Sequence, residues 1–258
     1  MNKALINFSF DDGRIDNYTI AYPILKEFGL PATFNITTGF ISRELVSKGL
    51  TLADPMTEDM VKEIGNDEKM ELAGHGHLHR NSLEDISDGI THLRTMSRES
   101  EFGFASPGSG LQIPFYHSSK AEFNAMNIVY IRTSLRYKTN SLIKLFVRRV
   151  CRVIHLPFLY SYSYSDTLLG KEDCDVLYSV PVVSTITVKE IKALINRAAK
   201  EKKALILMMH SIVPDRQIRD LCDFEESKFR EICKYLKEME DAGVLENATS
   251  MQIHERLK

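Results

Sequence analysis

The sequence predicts an α/β fold built on a mainly parallel sheet. Short apolar runs at 4–10, 32–36 and 204–209 are typical of buried strands, and they alternate with segments whose apolar residues recur every three or four positions. The first two runs enclose a helical segment, and this order gives parallel strands joined by a right-handed crossover. Repetition of the unit along the chain indicates one sheet flanked by helices.

Composition limits the classes of function. The chain has 258 residues, 43% of them hydrophobic, which is enough for one sizeable core, so we predict a single domain over residues 1–258. The formal net charge of -2 offers no basic field, and we expect no nucleic-acid partner. The four cysteines form no C-x-x-C pair and are expected to be reduced thiols.

The start of the sequence leaves little room for an export signal. Met1 is followed almost at once by the first apolar run, and no stretch of about 18 apolar residues occurs in the chain. We therefore expect a cytoplasmic protein without a signal peptide or a transmembrane segment; the alternative is that an export segment is not part of this chain.

Two adjacent carboxylates, Asp11 and Asp12, follow the first apolar run and precede Gly13. Successive strand residues point to opposite sides, so the two side chains should have different surroundings and different roles. An unpaired charge in an apolar core is costly, which indicates that the strand emerges at a polar site. A plain Asp-Gly turn after a strand is the alternative interpretation.

Helix boundaries are marked by residues with capping chemistry. Helices are predicted over 17–29, 57–64, 87–98, 187–200 and 227–242. Gly29 should end the first of them, because glycine adopts the left-handed conformation of a C-cap and Pro31 prevents continuation. Thr57 and Thr187 are candidate N-caps, since a threonine hydroxyl can accept a hydrogen bond from an unpaired N–H of the first turn.

Further strands are predicted over 69–73, 127–134 and 180–182, and an extended segment over 158–164, where aromatic residues alternate with serines. The first of these strands leads to three histidines at alternate positions, His75, His77 and His79. His75 and His79 with one carboxylate would make a set of ligands that leaves positions open on a divalent metal. The alternative is a surface cluster of histidines.

The last apolar run, 204–209, is followed by His210. In parallel α/β sheets ligands bind at the carboxyl ends of the strands, so Asp12, the histidines and His210 should lie at one edge of the sheet. Without the other residues, His210 would read as a core histidine with a satisfied hydrogen bond.

The segment 138–155 is rich in cations, which include Lys144, Arg148, Arg149 and Arg152, and it carries apolar residues at helical spacing. Such a helix can lie on an anionic membrane. We favour a surface helix of the fold with solvated cations, because its apolar side is equally suited to packing on the core. Membrane association is therefore considered but not favoured.

These stretches resemble the polysaccharide deacetylase family, the carbohydrate esterases with a NodB homology domain. Ser9–Gly13 is similar to the family's T/S-F-D-D-G motif, residues 75–79 to its H-x-x-x-H motif, and the apolar run before His210 to its last motif. The resemblance implies a distorted (β/α) barrel, usually of seven strands. It also implies that Asp12, His75 and His79 hold a divalent metal, with zinc expected, and that Asp11 is the general base and His210 the general acid.

One departure from the family concerns its R-P-P-Y-G motif. The corresponding loop, 103–110, has Ala105 or Ser106 where the family has the arginine that orients the catalytic aspartate. Arg132, near the carboxyl end of the strand at 127–134, is our candidate for the missing cation beside Asp11. A plain surface arginine is the alternative. His77, Pro107 and Met208 are candidate substrate-binding residues.

The resemblance implies hydrolysis of an N-acetyl group on an amino sugar in a polysaccharide, an oligosaccharide or a lipid-linked sugar. Three alternatives stay open. The chain could hydrolyse another C–N bond, in a ureide, cyclic imide or formamide. It could remove O-acetyl groups with the same metal site, or bind carbohydrate without catalysis. Retention of both aspartates and of His75, His79 and His210 argues against the last, whereas the missing motif arginine argues for it.

Overall fold

The structure, a computed structural model, describes residues 1–45, 53–133 and 142–258. The strands are β1 Ala4–Phe10, β2 Ala32–Ile36, β3 Met70–Gly74, β4 Phe102–Ala105, β5 Ile128–Thr133, β6 Val176–Pro181, β7 Leu205–Met209, β8 Ser211–Val213, β9 Asp223–Glu225 and β10 Leu245–Asn247. The α-helices are α1 Tyr22–Phe28, α2 Thr38–Ile41, α3 Glu58–Asn66, α4 Leu83–Leu93, α5 Ile113–Ser118, α6 Lys120–Ala125, α7 Leu142–Ile154, α8 Pro157–Ser163, α9 Val188–Glu201, α10 Glu226–Asp241 and α11 Ser250–Leu257.

The strands β1 to β7 form a closed parallel barrel. Each pairs with the next in sequence, and β7 returns to β1 with Ile6 opposite Leu205 and Phe10 opposite Met209. The barrel is distorted, because β3 and β4 share one residue pair and the register of β4 on β5 shifts after Phe102. The prediction of a distorted seven-stranded (β/α) barrel is confirmed.

Side chains of β1 alternate between two surroundings. Phe8 and Phe10 contact Phe229 of α10, with ring centroids 5.1 and 5.9 Å apart, and so pack beneath the helical layer. Asn7 and Ser9 instead hydrogen-bond to side chains of β2. Because neighbouring strand residues point to opposite sides, this polar set continues into Asp11 and places its carboxylate inside the barrel.

Several helix ends follow the predicted capping chemistry. Thr57 and Thr187 accept hydrogen bonds from the backbone N–H of Met60 and Glu190, and Gly29 ends α1 with a φ of 67°. The helix predicted over 87–98 begins earlier, at Leu83, because the Ser82 side chain caps it.

The extended segment predicted over 158–164 is wrong, because these residues belong mainly to helix α8. Pro157 takes the first helical position, where its missing N–H has no intrahelical partner to lose. Tyr160 and Tyr164 are buried whereas Phe158 and Tyr162 are exposed. Each pair is four residues apart and so shares one face of a helix, which makes the alternating pattern ambiguous between strand and helix.

The expectation that the apolar side of 138–155 packs on the core is also wrong. In α7, Ile143, Phe146 and Val153 are 70%, 67% and 78% exposed. The cations Lys144 and Arg148 are instead paired with a carboxylate of the following segment. Lys138 and the side chain of Arg152 lie outside the described residues. Among the residues described, none of the helices has the length and apolar character needed to cross a bilayer.

Candidate active site

The predicted site residues meet at the carboxyl end of the barrel. Asp11 and Asp12 follow β1, His75 follows β3, and His210 follows β7. They face a cavity of about 360 Å³ that is open to solvent. Its lining residues are Asp11, Asp12, Arg14, His75, His79, Ser106, Gly108, Ser109, Met208, His210 and Cys222.

Asp12, His75 and His79 form a compact group of potential metal ligands. One ligand atom from each lies within 4.8 Å of the other two. The Nε2 atoms of His75 and His79 are 3.5 and 3.6 Å from Asp12 Oδ1, so both imidazoles converge on one carboxylate oxygen. Within the described residues this is the group whose donor atoms and spacing fit a divalent ion.

The two histidine rings differ in protonation, although both turn Nε2 toward Asp12. Nδ1 of His75 lies 2.8 Å from the carbonyl oxygen of Ala105, so it carries the hydrogen and leaves Nε2 facing the site. Burial alone would lower the pKa of His75, but the carboxylates of Asp11 and Asp12 raise it above its usual value. Burial, with the adjacent charge of His75, lowers the pKa of His79 to about 4. His79 is therefore neutral near pH 7, as a ligating imidazole must be.

The loop that carries the histidines is ordered by Asp85. Its carboxylate accepts hydrogen bonds from the backbone N–H groups of His77, Leu78 and Arg80 at 3.1, 2.7 and 2.9 Å. Gly76 has a φ of 76°, and a Cβ atom there would lie 2.5 Å from Asp85 Oδ2. A glycine is needed at this position because any side chain would displace the carboxylate that holds the loop.

Asp11 is held inside the barrel by two donors. Arg132 Nη2 lies 2.5 Å from its Oδ1, and Asn35 Nδ2 lies 2.8 Å from the same oxygen. Arg132 is 2% exposed and also donates to the Ser179 hydroxyl. Burial alone would raise the pKa of Asp11, but the positive charge of Arg132, with that of His75 and His210, lowers it below its usual value. Asp11 is therefore a buried, ionised carboxylate near pH 7.

Asp12 divides its two oxygens between different partners. Oδ1 faces the imidazoles, whereas Oδ2 accepts from Arg14 Nε at 2.9 Å and lies 2.7 Å from Arg14 Nη2. Arg14 also donates to the Ser211 hydroxyl at 2.9 Å. Burial alone would raise the pKa of Asp12, but hydrogen bonding from His75 and the nearby positive charges hold it far below its usual range. We call this pairing of Arg14 with Oδ2 the Arg14 clamp, and it leaves Oδ1 of Asp12 available to a bound ion.

His210 follows β7, which pairs with β1 on the side away from β2 and β3. Its Nδ1 is buried and has no hydrogen-bond partner among the described residues. Burial lowers the pKa of His210 below its usual value, although Asp11 and Asp12 act in the opposite direction.

The predicted substrate-binding residues are only partly brought to this cavity. Met208 lines it, whereas Pro107 is buried and leaves Ser106, Gly108 and Ser109 to form that wall. His77 lies elsewhere, with Nδ1 2.9 Å from the Thr38 hydroxyl and Nε2 3.2 Å from Glu44. Its ring is not part of the cavity lining.

Sequence reasoning missed three residues that organise the site, Arg14, Asn35 and Asp85, and considered Ser106 only as a position of the missing motif arginine. Asn35 carried a usable signal, because it and Thr33 are polar residues at alternate positions of the predicted strand at 32–36. Arg14 also carried a signal, because a cation two residues after Asp12 is close enough in sequence to pair with its carboxylate. Ser106 accepts from Leu111 N and donates to Asn81, contacts that depend on the folded loop.

Residues 1–101 match the model of the polysaccharide deacetylase family. This stretch includes Asp11, Asp12, His75 and His79, so the resemblance predicted from the first two motifs is confirmed over these residues, whereas the motif that ends at His210 lies outside the matched stretch. The confirmed resemblance is to a family of hydrolases. No curated protein sequence matches the chain significantly.

Solved structures of similar fold include several deacetylases. One is a candidate polysaccharide deacetylase from Mycobacterium smegmatis, whose sequence is 14% identical. The alignment covers 100% of this chain and 91% of the M. smegmatis chain, with a TM-score of 0.58. The deacetylase PplD of Streptococcus pyogenes, solved with acetate, is 23% identical over 49% of this chain, with a TM-score of 0.40. That alignment spans 54% of PplD. At 14% identity, the likeness to the Mycobacterium smegmatis structure shows the fold alone.

Proposed function

We propose that this chain, acting as one domain over residues 1–258, is a metal-dependent hydrolase that removes N-acetyl groups from an amino-sugar-containing substrate. The observation that carries the proposal is the arrangement in one cavity of two groups. They are the Asp12–His75–His79 cluster and the carboxylate of Asp11, which is paired with the buried Arg132 outside the cavity lining. Polysaccharides, oligosaccharides and lipid-linked sugars are the substrate classes the proposal covers.

The donor set fits a divalent ion. Asp12 Oδ1 and the Nε2 atoms of His75 and His79 would hold it, and zinc is expected because two imidazoles and a carboxylate are among its usual ligands. A bound ion of this kind lowers the pKa of its water and polarises the carbonyl of the substrate. Arg14 would keep Asp12 Oδ1 turned to the ion, since it occupies the other oxygen.

Asp11 would take the proton from the attacking water. Its carboxylate is ionised near pH 7, lines the cavity and lies beside Asp12, so it is free to accept a proton there. Arg132 and Asn35 both bind Oδ1, which leaves Oδ2 as the acceptor. The arginine lowers the basicity of Asp11 but fixes its orientation, and geometry is the first requirement of a general base.

His210 would deliver a proton to the departing amine. It lines the same cavity, and its imidazole interacts electrostatically with the carboxylates of Asp11 and Asp12. Protonation of the amine is needed because an amine anion is a poor leaving group at neutral pH. Met208 and the loop around Ser109 would contact the sugar, and Cys222 completes the wall.

The experiment that tests the function is acetate release. The purified chain, supplied with zinc, cobalt or manganese, is incubated with N-acetylglucosamine oligomers, acetylated xylan and small ureides, and acetate and ammonia are measured. The proposal predicts acetate from the amino-sugar oligomers and its loss in an Asp11→Asn variant. Acetate from xylan alone, or ammonia from ureides alone, would contradict it in favour of ester or ureide hydrolysis. Sugar binding without turnover under every metal would identify a binding protein.

Arg14→Met should weaken metal binding. The variant loses both bonds to Asp12 Oδ2, so the carboxylate is no longer oriented toward the imidazoles. Partners of this kind typically contribute about 10–100-fold in metal affinity. Competition with a chelating dye measures the change, and Arg98→Met, on an exposed arginine remote from the cavity, is the matched control. Equal metal affinities for Arg14→Met and the control would show that the Arg14 clamp does not contribute to metal binding.

A further inference from the structure

One surface of the molecule exposes a cluster of large apolar side chains. Among the described residues, eight of the exposed large hydrophobics lie between 143 and 162, with exposures of 43–78%. We call this surface the α7–α8 face, and its members are Ile143, Leu145, Phe146, Val153, Ile154, Leu156, Phe158 and Tyr162. Apolar side chains in such number on two consecutive helices are unusual for a surface that meets only water.

An ordinary surface helix turns its apolar side to the core and its charged side to solvent, and helix α7 has the reverse arrangement. Its long cations face inward, where Arg148 lies 2.9 Å and Lys144 3.7 Å from the Asp166 carboxylate. Arg148 also donates twice to the carbonyl of Ser163, which holds α7 to the end of α8. Phe146 and Val153, two turns apart, are thereby left pointing to the outside. The exposure follows from specific polar contacts on the inner side of the helix.

The same stretch carries positive charge without negative charge. Between Glu122 and Asp166 the sequence contains no aspartate or glutamate, but it contains seven lysines and arginines, of which Arg132, Lys144 and Arg148 are paired with carboxylates inside the protein. Arg149 is exposed on the outward side of α7, and Arg152 follows it in sequence. A partner of this face must therefore tolerate apolar contact and complement positive charge.

We propose that the α7–α8 face binds the surface of an anionic lipid bilayer. Apolar and aromatic residues beside cations, with the helices lying in the plane of the surface, are the features that favour interfacial binding. A second copy of the chain is disfavoured, because a two-fold contact would place this acid-free stretch against itself. The proposal does not depend on the hydrolytic function.

The face lies near the catalytic end of the barrel. Cys151 of α7 and Tyr160 of α8 pack beside Pro181 and Val183, which end and follow β6. The N–H of Val182 donates to the carbonyl of Met208, the residue that lines the catalytic cavity. Docking through this face would therefore hold the cavity end of the barrel close to the lipid headgroups.

Vesicle co-sedimentation tests the proposal directly. The intact chain is mixed with phosphatidylcholine vesicles, with or without about one third phosphatidylglycerol, and the pelleted fraction is measured at rising salt. Binding is expected to the anionic vesicles and to weaken with salt. Phe146→Ser with Phe158→Ser should lower the partition coefficient by about tenfold or more, because two large apolar side chains no longer enter the interface.

The control is Val244→Ser, which removes an exposed hydrophobic residue remote from this face. It should sediment like the wild type, and thermal unfolding should show that all variants are folded. Wild type that stays in solution with anionic vesicles would overturn the proposal. Equal sedimentation of the double variant and the wild type would also overturn it. A wild type that is dimeric in solution, with a monomeric double variant, would overturn it in favour of a contact between two copies of the chain.

Discussion

Asp12→Asn is expected to lower kcat/KM for acetate release by at least about a thousandfold, which corresponds to about 4 kcal/mol of transition-state stabilisation. Asp12 is the carboxylate on which both imidazoles converge, and it would be the anionic ligand of the ion. An amide of the same shape keeps the packing but removes the negative charge. Initial rates on the substrate found by the acetate screen measure the loss.

Asp54→Asn is the matched control for this change. Asp54 is an exposed carboxylate outside the cavity lining, so its replacement should leave the rate unaltered. Comparable activity of Asp12→Asn and Asp54→Asn would mean that hydrolysis does not use the cluster, and the proposed mechanism would be wrong.

Arg132→Met should damage both stability and the pH profile. The variant leaves the buried Asp11 carboxylate without its cation, and breaking a buried ion pair in this way typically costs about 3–5 kcal/mol in the free energy of unfolding near pH 7. Arg132 lowers the pKa of Asp11, so its removal raises that pKa. A smaller fraction of Asp11 is then ionised at mildly acidic pH, and the acidic limb of kcat/KM should move to higher pH.

The size of the stability loss in Arg132→Met also depends on pH. In the wild type the lowered pKa of Asp11 stabilises the fold above the usual pKa of an aspartate, and this contribution is lost as the pH falls through the folded value. The deficit of Arg132→Met should therefore shrink in acid, as urea unfolding at several pH values would show.

A double-mutant cycle provides the control for Arg132. Arg132→Met combined with Asp11→Asn removes both charges, so it should be more stable near pH 7 than Arg132→Met alone. A double variant less stable by the sum of the single losses, with an unshifted acidic limb in Arg132→Met, would show that the pair is not coupled.

Local patterns in the sequence predicted the parallel α/β sheet and the edge that carries most of the site, whereas closure into a seven-stranded barrel was implied by the family resemblance. Apolar runs with intervening helical periodicity define β1, β2 and β7, and the carboxyl ends of parallel strands meet at one edge. Asp12, His75 and His210 were therefore placed at a common edge without knowledge of any contact. The position of Arg132 near the end of β5 made its approach to Asp11 foreseeable.

What the sequence did not predict depends on tertiary contacts. Asn35 reaches Asp11 because of the register of β2 on β1, which no local pattern encodes. His77 was grouped with its neighbours by spacing, but the turn at Gly76 directs it to Thr38 and Glu44. In α7 the apolar spacing was recognised, but which side of the helix faces the barrel was decided by Asp166.

The most direct test of the account is the metal content of the purified chain. Mass spectrometry of the protein after zinc is supplied and excess is removed should find close to one divalent ion per chain in the wild type. Asp12→Asn and His75→Ala should retain almost none, because each removes one member of the cluster. A wild type without bound metal, or an Asp12→Asn variant that binds as much as the wild type, would contradict the proposal that these residues form a metal centre.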